Sequence, residues 1–386
     1  MNTIERLPLS EAHRFREHYL ARRQPVILTG LFPDHPLADI RTLASARERL
    51  GDLELSASPN YMDMHLGNIG DFISGRGVRL TPQLRTQRLA DYLAQATSPA
   101  GTTWIITENP TPDALLQGMD LRPLGLQEVR AGYGNPQAGP ESGKAHSLTF
   151  VGSPGNASDL HTDWDGRDVL LYQVFGSKRA TLFPPQAAAA LLPIDIYSMV
   201  RLRGMPEPRR GSFVQSLGGL DLVLEPGEAL FTPAFWWHHL EYVDTGMSIS
   251  FRFGGPEDED VRFLIHHLHR DRYTQNLLAT LMDPERVRTH RGAVNELLTA
   301  YRGHHPSARA KYRALRSLAS RLHQEICAED MPLAWIDPSD FLESILCFRY
   351  LRPLEAWSPL QKRLWQLGES VRGAVRAQAH RLASWV

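Results

Sequence analysis

At 386 residues, 42% of them hydrophobic, the chain is long enough to bury one large core or two ordinary ones and is too apolar to read as disordered. A formal net charge of -1 gives no global attraction to nucleic acid or to an anionic membrane, so partners have to be argued from individual sites. The two cysteines, Cys327 and Cys347, are too far apart for a Cys-X-X-Cys zinc or redox motif and read as buried or free thiols of a reducing compartment.

The opening segment "MNTIERLPLSEAHRFREHYLARRQP" lacks the uninterrupted apolar core of a secretory signal. No stretch reaches the roughly 18 apolar residues that a spanning helix needs. The expectation is a soluble cytoplasmic protein with no membrane partner. Up to about residue 130, helical stretches such as "SEAHRFREHYLARR" and "TQRLADYLAQAT" alternate with short apolar runs such as "PVILTGL" and "TTWIIT", an α/β lead-in.

From about 145 to 254 the texture changes to short β-rich runs: "SLTFVG", "DVLLYQVFG", "RATLFPP", "LDLVLEP", "EALFTPA" and "GMSISFRFG". Gly, Pro and Asp separate them, the pattern of an antiparallel sandwich or barrel. One interruption, "PQAAAALLPIDIYSMV", reads as a short helix and loop that could carry part of a lid. After Gly255 helical spacing takes over, with starts signalled by Asp-Pro, Ser-Pro and Pro-Ser. The expected class is α+β: one large domain over 1–255 with its barrel at 145–254, then a helical region over 256–386.

Within the barrel, "ASDLHTDWDG" (157–166) sets His161 two positions before Asp163, so that on a strand both project to one side. Alone, the triplet is equally a polar turn or a hydrogen-bonded pair. A third donor comes from "LEPGEALFTPAFWWHHLEYV" (224–243), where the period of two sends His238 and His239 to opposite faces, so one of them at most faces a site. Two imidazoles and one carboxylate from neighbouring strands make the facial triad that leaves three positions open on Fe(II). A core histidine among packed tryptophans is the competing reading. The joint order of triplet, lysine-bearing hairpin and Trp-Trp-His strengthens the metal reading beyond either half.

With "SDLHTDWDG", "YQVFGSKRATLFPP", "LEPGEALFTPAFWWHHLEYVDTGMSISFRF" and the looser "QPVILTGL", the chain resembles the cupin-like Jumonji-C oxygenases over about 24–254. The likeness is greatest to the branch containing the asparaginyl hydroxylase that inhibits hypoxia-inducible factor. The resemblance implies a double-stranded β-helix (cupin or jelly-roll) core and use of Fe(II), 2-oxoglutarate and O2. It implies His161, Asp163 and His238 as the catalytic metal ligands, the first histidine after the paired tryptophans being the ligand in that family. It implies Lys178 as the anchor of the distal carboxylate of 2-oxoglutarate, with Ser158 at a position where the similar hydroxylase has a hydroxyl contacting the same group.

Two cosubstrate positions depart from the pattern. Asparagines of the similar hydroxylase are replaced by Val169 and Arg252. Arg252 has a parallel in bacterial ribosomal oxygenases and could bind the C1 carboxylate, recognise an acidic substrate or pair with a carboxylate of its own. The implied reaction is hydroxylation of a C–H bond coupled to decarboxylation of 2-oxoglutarate to succinate. By analogy the substrate is a protein or peptide side chain, with a small metabolite as the enzymatic rival and a non-catalytic cupin-type binding protein or scaffold as the alternative class. Trp164 and Asp165 are expected at the mouth, binding a substrate cation or shaping the turn, with Arg167 and Asp168 paired locally. Basic residues on the C-terminal helices read as solvated faces and do not indicate nucleic acid. The histidines at 266–269 and 304–305 read as surface or helix-interface groups. Relatives imply a homodimer through the C-terminal helices.

Overall fold

A computed structural model describes residues 4–59, 84–98, 102–135, 143–163, 165–191, 193–194, 196–198, 200, 202–268 and 272–327. Trp164, Cys347 and the helices expected after Cys327 lie outside the described residues. The chain divides into two compact units, the first made of Met1–Met62, Gln83–Pro185 and Arg201–Glu257, the second of the remainder.

The first unit carries the barrel. Its lead-in supplies β1 (Arg6–Pro8), β2 (Val26–Thr29), β3 (Glu54–Pro59), β4 (Arg85–Arg88), β5 (Trp104–Pro110) and β6 (Glu128–Ala131). Then come β7 (Lys144–Gly152), β8 (Asp168–Phe175) and β9 (Lys178–Phe183). A hairpin of β10 (Pro193–Ile194) and β11 (Tyr197–Ser198), which belongs to the second unit, precedes β12 (Leu220–Leu224), β13 (Glu228–Thr232), β14 (Trp237–Tyr242) and β15 (Gly246–Phe253). That hairpin replaces most of the helix and loop expected from "PQAAAALLPIDIYSMV", where a single tight turn at Pro185–Ala189 is helical.

Ten strands form one sheet in the order β1-β2-β13-β8-β15-β7-β5-β3-β4, with β6 beside β7, and β12-β9-β14 form a second. The strand pairs of the barrel are antiparallel, and the two sheets make the double-stranded β-helix. Side-chain alternation decides what each face buries. Along β15, Met247, Ile249, Phe251 and Phe253 enter a cluster with Phe15, Leu28, Tyr172 and Phe231, capped by Leu89, Tyr92 and Leu93 of the helix Leu89–Ala96. Each such buried Leu or Phe stabilises the fold by about 1.5–3 kcal/mol. Ser248, Ser250 and Arg252 alternate with them and face the space between the sheets. There Ile27, Leu171 and Leu230 of the large sheet meet Ala180, Leu182 and Leu224 of the small one. The lumen is therefore apolar in part and polar along β15.

In the lead-in, the expected helix over "SEAHRFREHYLARR" is irregular: a turn at Leu9–Glu11, a short α segment at Ala12–Arg14 and a wide π-type stretch at Phe15–Leu20. In the second unit, helices span Glu259–Leu268, Arg272–Thr280, Pro284–Thr289, Arg291–Arg302 and Ala308–Cys327. Their starts follow the sequence signals. Asp283 accepts from the Glu285 N–H ahead of Pro284, and Ser307 accepts from the Ala310 N–H. His267 meets the Tyr301 hydroxyl at 3.1 Å, and His305 meets the Ala300 carbonyl at 2.8 Å.

Candidate metal centre

His161 is not on a regular strand. The segment 157–161 touches β14 through isolated bridges at Ala157–Glu241 and His161–His238. At the second bridge the two histidines exchange both backbone hydrogen bonds, at 3.0 and 2.7 Å, so they stand directly opposite and project to one face. Their ring centroids are 4.2 Å apart. Each Nδ1 meets the carbonyl two residues earlier, Asp159 at 2.7 Å for His161 and Trp236 at 3.0 Å for His238. A carbonyl only accepts, so each Nδ1 carries the proton and each Nε2 keeps its lone pair, the tautomer a metal ligand needs.

Asp163 completes the set, with one donor atom from each of the three residues lying within 4.8 Å of the others. Burial, and then the nearby His238, pulls the His161 imidazole down to about 3, so it is neutral at physiological pH. Burial works against ionisation of Asp163, but the Arg252 guanidinium outweighs it and holds the carboxyl well below its usual range. Two imidazoles and one carboxylate fit a divalent transition metal with open positions. His239 turns to the other face, where its buried ring lies 3.5 Å from Glu241 beside the Arg210–Glu241 and Arg210–Thr181 contacts.

Lys178 opens β9 opposite Tyr242 of β14. Its ammonium is buried, donates to Ser248 Oγ at 2.6 Å and lies 4.1 Å from the Tyr242 ring centroid. Among the described residues no carboxylate pairs with it, and burial pulls it down to about 7. The buried Tyr242 hydroxyl approaches Ser248 without completing a hydrogen bond. An ammonium and a phenol with spare donors inside a barrel suit a carboxylate guest, and 2-oxoglutarate has one to place there. Tyr242 and Ser248 were not singled out from the sequence, although Tyr242 shares the face of His238 by the period of two. Ser158 stitches its segment to β14, its Oγ accepting from the Leu240 N–H at 3.0 Å.

Arg252 stands opposite Val169 across β15 and β8, so the two departures from the hydroxylase pattern are one cross-strand pair. Of its three expected roles, the structure shows ion pairing: Nη1 lies 3.3 Å from Asp163 and 3.3 Å from Asp165. Of the two roles expected of Asp165, its contacts are those of shaping the turn, the Arg167 N–H donating to its Oδ1 at 3.2 Å. Its side chain is buried and held by Arg167 through Nε at 2.9 Å and Nη2 at 2.7 Å, so a substrate cation cannot reach it. Asp168 pairs with Arg23 at 2.7 Å, not with Arg167, because β8 brings it to the turn before β14.

A double-stranded β-helix that brings two histidines and an aspartate together in its lumen defines a cupin-type barrel with a candidate metal site. The chain matches the family described as "Cupin-like domain" over residues 12–256 and belongs to it, within the Jumonji-C group, whose members are commonly oxygenases using Fe(II) and 2-oxoglutarate. It is 31% identical to rat HSPB1-associated protein 1 over 37% of this chain and 30% of that protein. It is 32% identical to Drosophila melanogaster Jumonji C domain-containing protein 5 over 26% of each chain. These two matches span less than a third of either relative. A longer match, 27% identical over 59% of this chain and 68% of the relative, is to tRNA wybutosine-synthesizing protein 5 of Danio rerio.

Proposed function

We propose that the protein is an Fe(II)- and 2-oxoglutarate-dependent dioxygenase that hydroxylates a C–H bond of a protein or peptide side chain, releasing succinate and CO2. The observation that carries this reading is that a two-histidine, one-aspartate centre shares the lumen of the barrel with a buried lysine of β9 that has no carboxylate partner among the described residues. Bound iron and 2-oxoglutarate supply the oxidation of the substrate by O2. The chain's own groups do the rest. His161, Asp163 and His238 hold the metal; Lys178, Ser248 and Tyr242 orient the distal carboxylate; Ile27, Leu171, Leu182 and Leu230 exclude water beside them.

Binding is the first test, because it does not require the substrate to be known. Metal-dependent 2-oxoglutarate binding by the purified protein, followed by succinate release with Fe(II) and ascorbate, is expected, with both lost in His161→Ala and Asp163→Ala. Folded protein that binds no 2-oxoglutarate in the presence of metal overturns the reading in favour of a non-catalytic cupin-type protein. An RNA nucleoside is a second substrate reading, favoured by the length of the match to the tRNA wybutosine-synthesizing protein. Mass spectrometry for a gain of about 16 Da, one inserted oxygen atom, on peptides, nucleosides and metabolites separates these substrate classes.

A further inference from the structure

Asp163 sits beyond the last bridge to β14, on a segment with no strand partner, so its carboxylate needs orientation from side chains. Arg252 supplies a fork. Nη2 lies 3.3 Å from Oδ1 and Nη1 lies 3.3 Å from Oδ2 of the same carboxylate. Both distances exceed the 2.7–2.9 Å of a tight charge-assisted bond, so one oxygen is left able to turn to an ion. Arg252 is itself held from behind. Its Nη1 reaches Asp165, and Asp165 is fixed by the Arg167 backbone N–H at 3.2 Å as well as by the Arg167 guanidinium, which in turn donates to the Tyr133 carbonyl.

We propose that Arg252 is a positioning residue for the metal ligand Asp163, and that Asp165 carries the counter-charge that keeps Arg252 from neutralising that ligand. This inference rests on the metal-centre reading. The buried chain Arg167, Asp165, Arg252, Asp163 alternates in sign. With Asp165 present, the guanidinium has an anion of its own, and the charge of Asp163 remains for the ion. Without Asp165, the guanidinium leans more on Asp163 and competes with the metal. The opposing residue, Val169, offers no polar atom in its side chain, so it takes no share of the guanidinium.

The sign of the change in metal affinity tests this, because removing a cation beside a metal site favours metal binding unless the cation also orients a ligand. Metal-free full-length protein is titrated with Co(II) and with Mn(II) as wild type, Arg252→Lys, Arg252→Met and Asp165→Asn, with circular dichroism confirming that each is folded. Arg252→Lys keeps the charge and loses the fork; an affinity loss of about 10-fold or more is expected, as for other groups that orient metal ligands. Arg252→Met is expected to bind more weakly despite losing a cation, Asp165→Asn to bind more weakly despite altering no ligand, and the Co(II) absorption bands to shift in all three. Wild-type affinity in Arg252→Lys, or tighter binding in Arg252→Met, overturns the inference. So does unchanged metal affinity with weakened 2-oxoglutarate binding, which assigns the guanidinium to the cosubstrate. Wild-type protein that binds neither ion overturns the metal-centre reading itself, and this inference with it.

Discussion

Lys178 is the side chain whose charge depends most on what shares its pocket. Pulled down by burial to about 7, its ammonium gives up its proton in the upper half of the physiological range unless an anion arrives. A dianionic guest binds the charged form, so above about pH 7 binding takes up a proton, and affinity falls toward tenfold per pH unit. Below that pH the lysine is already charged and contributes no slope. Calorimetry of the Mn(II)-loaded protein with 2-oxoglutarate is expected to show weakening between pH 7 and 9, with uptake of close to one proton at the alkaline end. PH-independent binding across that range refutes it. At this scale the metal triad was legible because two spacings, His-X-Asp and the alternation around Trp-Trp-His, are local. The carbonyl contacts that set both histidine tautomers were not, nor was the Asp165–Arg252 pair. Those depend on where the backbone passes and on which of two acids an arginine 87 residues away reaches.

Strand β14 enters the site through a strained turn. Phe235 has a φ of 66°, a left-handed conformation unusual for a bulky side chain, and Arg23 at 54° shares that state. One carboxylate ties both: Asp168 accepts from the Ala234 N–H at 2.9 Å and from Arg23 at 2.7 Å, while the Trp236 indole donates to the Arg23 carbonyl at 3.1 Å. Losing a buried, charged acceptor for a backbone N–H costs about 1–3 kcal/mol, so Asp168→Ala is expected to lower stability by that amount in urea unfolding. Metal affinity is expected to fall with it, since His238 follows the turn by three residues. Unchanged affinity in the folded variant breaks the link between turn and ligand. Across the lumen, a Cβ on Gly152 would overlap the Tyr242 ring. Gly152→Ala is expected to weaken 2-oxoglutarate binding several-fold and leave Mn(II) binding intact, because it disturbs the anion end and not the triad; equal loss of both by calorimetry contradicts that division. The β-rich texture announced these strands. Their order did not follow from it, because β13 pairs with β2 and β8 through contacts some 60 to 200 residues apart, which no local pattern encodes.

The whole chain is nearly neutral, and its surface ion pairs, such as Arg49–Asp39 and Arg122–Asp120, are exposed enough to contribute little to stability. Among the described residues no helix is long and apolar enough to cross a membrane. The second compact unit takes in Asp258–Val386 together with Asp63–Pro82 and Gln186–Val200, and the change of hydrophobic period after Gly255 carried no sign of those two excursions. The homodimer implied by the family resemblance is a question at this scale. Among the described residues the exposed large apolar side chains are Leu84, Val223 and Val243, and none belongs to the helices from Glu259 to Cys327. Those helices bury Val261, Leu264, Leu277, Val294, Leu297, Leu315 and Leu322, so their described faces offer no apolar patch of the size a stable dimer uses. We propose that a dimer made through the C-terminal region draws on residues after Cys327. Light scattering is expected to give the mass of two chains for the full-length protein and of one chain when residues 328–386 are removed, with metal binding retained in the shortened form. A full-length monomer, or a shortened dimer, refutes that assignment.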